Sequence, residues 1–235
     1  CEPVVMDTRF NSSVTDIFRN EYLSPRSPYT TLQIPKQGIG EWCHPLHTVD
    51  INDAGLRSSV QNGILNTELG IPFRTPAEGH NVAFTSLWDN YPDSLEIPLK
   101  GKASRAYLLM AGSTNHMQCH IDNGVIRVYY KDGTCDVMFL RNPDNWPPIE
   151  HIFFEDGLAF NRHTPTLYRL RLKTGEISNN FGEELGFPGA SRELDGGAAV
   201  LLEMPLNPGK KLSHLVLETL SNDVVIGLMS ITLQR

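Results

Sequence analysis

The sequence contains no run of 18 apolar residues, so no segment reads as a membrane-crossing helix. Its 4 cysteines, Cys1, Cys43, Cys119 and Cys135, form no Cys-x-x-Cys pair, which argues against a structural zinc site of the common spacing. Clustered basic residues are also missing. The densest basic stretch, Arg169, Arg171 and Lys173, alternates as on the wet face of a strand. With Lys+Arg at 20, Asp+Glu at 27 and a net charge of -7, the chain lacks the positive surface that phosphate backbones require, and nucleic acid is excluded as an expected partner. There is no Gly-x-Ser-x-Gly nucleophile elbow and no phosphate-cradling glycine loop ahead of a helix. Long helical periodicity is absent; the best candidate is 15–22, with Thr15 as N-cap and Ile17 and Phe18 as its apolar residues. Cys1 stands where an initiator Met would be, and the chain reads as cut from a longer protein in preference to a lipidated mature terminus.

Strand signals occupy the space left by these absences. Short apolar or alternating segments fall at 4–10, 30–34, 56–60, 82–87, 95–99, 106–111, 117–122, 125–130, 135–140, 166–172, 198–204, 212–220 and 224–233, with Gly, Pro, Asn and Asp between them. Asn123-Gly124 and Asp132-Gly133 predict two tight turns, which would make 117–140 a three-stranded meander. Cys119 and Cys135 flank the first of these hairpins; they could face each other, but read better as small buried hydrophobes. Many short strands without helices argue for an all-β, antiparallel β-sandwich or jelly roll over 48–235. Residues 1–47, rich in Pro and Gly, read as an irregular N-terminal extension packed on it.

Candidate chemistry is sparse. His44 and His47, and His116 and His120, are spaced three and four apart but lie in a loop and in a strand-like segment, where hydrogen bonding to backbone is the expected role, and no metal site is expected from them. Asp50 with Asp53, Asp89 with Asp93, Asp144 with Glu150, and Glu183 with Glu184 are the pairs to weigh for glycosidase chemistry, although Asp is also an ordinary turn residue. Two loops carry a denser pattern. One holds Trp88, Asp89, Asn90 and Tyr91; the other runs from Arg141 through Asn142, Asp144, Asn145 and Trp146 to Glu150. An indole or phenol covers the C–H face of a sugar ring, while Asp, Asn and Arg bridge its hydroxyls. Flanking prolines stiffen both loops and lower the ordering cost of binding. Trp88, Asp89, Asn90, Tyr91, Asn142, Asp144, Asn145 and Trp146 are therefore the expected carbohydrate-binding residues. A Trp between strand and loop can equally plug the open end of a sandwich core, and both roles stay open for Trp88 and Trp146.

Several stretches occur in a recognisable order: Gly70-Ile71-Pro72-Phe73, residues 81–88, residues 95–103, Tyr107 to Gly112, Val128-Tyr129-Tyr130-Lys131-Asp132-Gly133, and the Asn-rich turn of 140–146 ending in Trp. In that order they resemble the galactose-binding-like jelly-roll domains attached to bacterial glycoside hydrolases. More narrowly, the chain resembles the C-terminal part of large uncharacterised Bacteroidetes glycan-utilisation proteins, a domain of unknown function. The resemblance implies a non-catalytic, carbohydrate-associated accessory domain, extracytoplasmic in a bacterium, with carbohydrate and the catalytic domain of the parent chain as partners. Two alternatives stand beside it: a purely structural brace for that catalytic domain, which the resemblance also implies, and a glycoside hydrolase or polysaccharide lyase, for which Tyr91, His116, His120 and Arg141 are the residues to inspect. No cofactor is expected apart from a structural calcium of the kind the family carries, for which Asp50, Asn52 and Asp53 before Gly55 are the nearest candidates.

Overall fold

Residues 198–205 and 224–234 run almost unbroken through Ala, Val, Leu, Ile and Met, a pattern expected of strands covered on both faces. A computed structural model of the chain, which describes residues 1–24, 49–115, 118–152, 162–180 and 193–235, shows why. The strands are β1 (Glu2–Pro3), β2 (Val60–Gln61), β3 (Ile64–Asn66), β4 (Pro72–Arg74), β5 (Ala83–Ser86), β6 (Ser94–Pro98), β7 (Arg105–Thr114), β8 (Asp122–Tyr130), β9 (Cys135–Arg141), β10 (Arg169–Arg171), β11 (Ile177–Ser178), β12 (Ala198–Pro205), β13 (Leu212–Thr219) and β14 (Val224–Gln234). A seven-stranded sheet has the order β1-β14-β7-β12-β10-β11, with β5 also paired to β14. A four-stranded sheet has the order β6-β13-β8-β9, and β2-β3-β4 form a small third sheet. Every pairing between these strands is antiparallel, and the fold is an all-β sandwich.

Two cores share the large sheet. Ala106, Leu108 and Met110 of β7, Val200, Leu202 and Met204 of β12, and Val224, Ile226 and Leu228 of β14 point into the first, against Ile97, Ile126, Val128, Leu215 and Leu217 of the small sheet. The intervening residues Leu109, Ala111, Ala199, Leu201 and Val225 point the other way, into a second core. That second core is closed by Val14, Ile17, Ile51, Leu56, Leu65, Phe73 and Tyr91. Side chains alternate faces along a strand, so a strand between two cores must be apolar at both parities. In β14 the register shifts between Leu228 and Ser230. This bulge changes the parity, and Ile231 and Leu233 therefore rejoin the first core. Residues 1–24 are woven into the sandwich: β1 pairs with β14, Ser12 bridges Val82, and Val14 and Ile17 are fully buried.

Several sequence expectations need correction. The first predicted strand, 4–10, is not a strand: β1 (Glu2–Pro3) lies just before it, and Asp7–Arg9 form a 3-10 turn. The helix expected at 15–22 is a 3-10 turn, Val14–Asp16, with further turns after it. The segment 56–60 is mostly a short helix, α1 (Ala54–Ser58), because the Asp53 carboxylate accepts from Arg57 Nε one turn on and from Asn81 Nδ2, each at 2.8 Å. Asn123-Gly124 is no turn but lies inside β8, beside a register shift. Asn123 is buried, accepting from Thr114 Oγ1 and donating to the carbonyls of Gln118 and Ile121. Gly124 is needed for space, since a Cβ there would stand 2.2 Å from Ile226 Cδ1. Asp132-Gly133 does turn the chain between β8 and β9, with Gly133 at φ +84. Cys119 and Cys135 are not facing, buried neighbours: Cys135 is exposed beside Tyr129, Cys119 bridges Asn142 at the other end of β9, and neither is in a disulfide. The segment 30–34, Cys43, His44, His47, His116, Glu183 and Glu184 lie outside the described residues.

Gly112 of β7 marks the tightest packing at the loop-bearing end. A Cβ on it would lie 2.1 Å from the Val225 carbonyl oxygen and 2.6 Å from the Trp146 ring. Gly112→Ala is accordingly expected to destabilise the fold by about 1–3 kcal/mol, read as a lower urea midpoint at unchanged slope.

Candidate functional site at the end of strand β9

The pairings Ser86↔Val225, Gly124↔Thr219 and Asp122↔Arg141 bring the ends of β5, β9 and β13 to the same end of the sandwich as the starts of β8 and β14. Both polar-aromatic loops emerge there, on either side of the turn between β13 and β14. Trp88 Nε1 donates to the Asn222 carbonyl of that turn at 3.3 Å, and the Ile149 amide donates to Gly112.

The aromatic residues of these loops, however, face inward. Trp146 is completely buried and belongs to the first core. Tyr91 lies in the second core, its ring 5.1 Å from Phe84, and burial raises its hydroxyl pKa. Trp88 is buried with its ring edge-on to Tyr22. Asn142 is fully buried, donating from Nδ2 to Cys119 Sγ. Asn90 is spent on the N-terminal segment, accepting from the Leu23 amide and donating to the Glu21 carbonyl. Trp146 and Tyr91 thus take the core-plugging role and Trp88 is buried against Tyr22, because an open sandwich end needs large apolar side chains to close it. Asp89 is exposed on its loop, and its amide donates to Ser24.

Asp144 and Asn145 remain accessible. They line an open cleft of about 240 Å³ together with Phe139, Arg141 and Thr164. Asn145 shapes the loop: its Oδ1 accepts the Arg141 amide at 2.7 Å and its Nδ2 donates to the Phe139 carbonyl at 2.9 Å. Phe139 is 41% exposed, and the Arg141 guanidinium sits over its ring at 5.7 Å from the centroid. Arg141 also donates from Nε to Asp122 at 2.6 Å. Behind the cleft, Asp144 Oδ1 accepts the His163 amide at 2.7 Å, and the Asp144 carbonyl accepts the Thr164 hydroxyl at 2.6 Å. The His120 and His163 rings lie 4.8 Å apart, both turned toward the Asp144 carboxylate.

The three residues nearest to a calcium loop in the sequence each have a protein partner. Asp53 is buried against Arg57 and Asn81, Asn52 Oδ1 accepts the Ala54 amide, and Asp50 is a surface partner of Arg19.

Sequence reasoning missed Phe139, His163 and Thr164. Phe139 sits in a segment apolar at both parities, and His163 and Thr164 sit in a stretch with no periodic signal. No protein-family model, no curated protein and no solved structure matches this chain.

Proposed function

We propose that this sandwich is a non-catalytic, carbohydrate-associated accessory domain of a larger bacterial glycan-degrading protein, working outside the cytoplasm. Its sugar-contacting surface is the cleft at the end of β9, not the two buried tryptophans. The observation that carries this reading is the exposed Phe139 ring beside Arg141, Asp144 and Asn145 around one open cleft. The ring offers an apolar face to sugar C–H groups, and the guanidinium and carboxylate offer fixed partners for hydroxyls. The order of the motifs from Gly70 to Trp146 supports the galactose-binding-like jelly-roll assignment.

An open surface of this kind binds weakly, with a Kd of roughly 1 mM to 1 μM, or about 4 to 8 kcal/mol. A glycan array on the chain, followed by calorimetry, is expected to give a saturable ligand whose binding disappears in Phe139→Ala while the thermal midpoint stays within a degree or two. A second reading is favoured by the register of the small sheet, which places the exposed Val137 and Phe139 on its outer face. In that reading the face docks on the parent catalytic domain. Absence of any glycan ligand, together with self-association that Val137→Lys removes, would favour docking over sugar binding.

A further inference from the structure

Behind the cleft lie three titratable side chains whose arrangement is independent of sugar binding. We propose that His120, Asp144 and His163 bind one divalent transition-metal ion of the zinc type. One nitrogen of each histidine and one oxygen of Asp144 all lie within 4.8 Å of one another, the one such group of three among the described residues. His163 Nδ1 stands 3.5 Å and His120 Nδ1 3.8 Å from the Asp144 carboxylate. An ion about 2.0–2.2 Å from each ligand needs ligand–ligand separations of roughly 3.0–3.5 Å. Small side-chain rotations therefore suffice to close the set.

Three features argue for a built site. The ligands come from three separate segments that are already tied together: the His120 amide donates to the Asn142 carbonyl at 2.7 Å, and the His163 amide donates to Asp144 Oδ1. His120 is held at φ +55, an unusual conformation for a residue with a side chain. Neither ring nitrogen of His120 makes a hydrogen bond to a described residue: Nε2 is buried without a partner, and Nδ1 is too far from Asp144 for one. The nearby Arg141 cation would oppose an incoming ion, but its guanidinium is paired with Asp122.

Two imidazoles and one carboxylate are a borderline nitrogen–oxygen set. They suit zinc, cobalt, nickel or copper, whereas calcium and magnesium ask for oxygen ligands throughout. Three protein ligands leave a coordination position for water or a ligand oxygen, and one of the three, Asp144, also lines the cleft.

Chelator-treated protein titrated with zinc by calorimetry is expected to saturate at one ion per chain and to melt at a higher temperature when loaded. His163→Gln, a change at a largely exposed side chain, and His120→Gln should each weaken zinc at least tenfold while the metal-free melting temperature holds. Calcium at the same concentration should give no heat. Cobalt(II) added instead should develop d–d absorption without a thiolate charge-transfer band, since exposed Cys1 and Cys135 are the competing ligands. Zinc binding that survives both substitutions, a thiolate band, or no heat at all would overturn the proposal. Glycan binding is measured on the metal-free protein, so failure of the sugar reading leaves this result standing, and the reverse.

Discussion

Trp146→Ala is expected to lose about 3–5 kcal/mol of folding stability, as large buried aromatics do when truncated. The ring is completely buried in the core between the sheets, and it lies directly over Gly112, where a Cβ would come within 2.6 Å. The loop that carries it is fixed on both sides. The amides of Asn145 and Trp146 donate to the Arg141 carbonyl, and the Arg141 amide donates back to Asn145 Oδ1. A relaxed collapse into the vacated space is therefore restricted, and the cavity term is felt in full. Because a domain is stable by only about 5–15 kcal/mol in total, this one change could unfold the chain at physiological temperature. Trp146→Phe is the informative companion. It keeps a ring in the gap and removes an indole N–H that is buried without a partner among the described residues, so it should lose far less. Urea unfolding followed by circular dichroism reads both. Loss of sugar binding in Trp146→Ala at an unchanged urea midpoint would contradict the core-plug assignment.

The second large effect is a pH dependence set by Glu150. Its side chain is fully buried, accepting from the Ser113 hydroxyl at 3.2 Å, with its other oxygen unpartnered among the described residues. Burial is the main cause that pushes its pKa from an ordinary 4.5 up to about 7, and the Ser113 bond and the Arg169 charge offset it only in part. Between those values the folded chain holds a proton that the unfolded chain has released. The stability linked to Glu150 is thus full below about pH 4.5, falls as pH rises from there, and is gone above about pH 7. A shift of that size corresponds to roughly 3 kcal/mol. Asp223, raised by its own burial, acts in the same direction, whereas Glu2, Asp7 and Asp132 are lowered and act in more acidic solution. Glu150→Gln is expected to match the parent near pH 4.5, to exceed it at pH 8, and to flatten the slope between. Thermal midpoints across pH 4.5–8 for the two proteins check this. An unchanged slope in Glu150→Gln would assign the dependence to another group.

Arg169 explains why such a carboxyl is tolerated. Its guanidinium, buried on β10, donates to the carbonyls of Pro148, His151 and Ala198 at 2.7, 2.8 and 2.9 Å. It satisfies carbonyls of the 148–151 loop and of the first residue of β12, and it brings a cation near Glu150. Asp144 and Glu150, weighed from the sequence as a carboxylate pair, are divided by this arrangement: one lines the open cleft and the other is sealed inside.

The sandwich itself was legible in the chain because strand formation is written locally. Short apolar segments at 95–99, 106–111, 125–130, 135–140, 198–204, 212–220 and 224–233, cut by turn residues, coincide with β6, β7, β8, β9, β12, β13 and β14. The near-unbroken apolar runs of β12 and β14 also carried the information that both of their faces are covered. What a sequence determines less well is direction. Cys135, Val137 and Phe139 alternate with Asp136, Met138 and Leu140, and neither set is clearly the more apolar. Only the pairing of β9 with β8 sends Met138 and Leu140 inward and leaves Phe139 at the cleft. The same holds for Asn123-Gly124, whose turn propensity yields to a buried hydrogen-bonding position and a close approach to Ile226. The candidate site lies furthest from local signals. His120, Asp144 and His163 are brought together by three segments that carry no shared spacing, while of the tryptophans that looked like ligand platforms Trp146 went into the first core and Trp88 is buried against Tyr22. A sandwich closes by burying its largest apolar side chains first, and the residues that remain exposed around the closed end are a result of packing that no local pattern records.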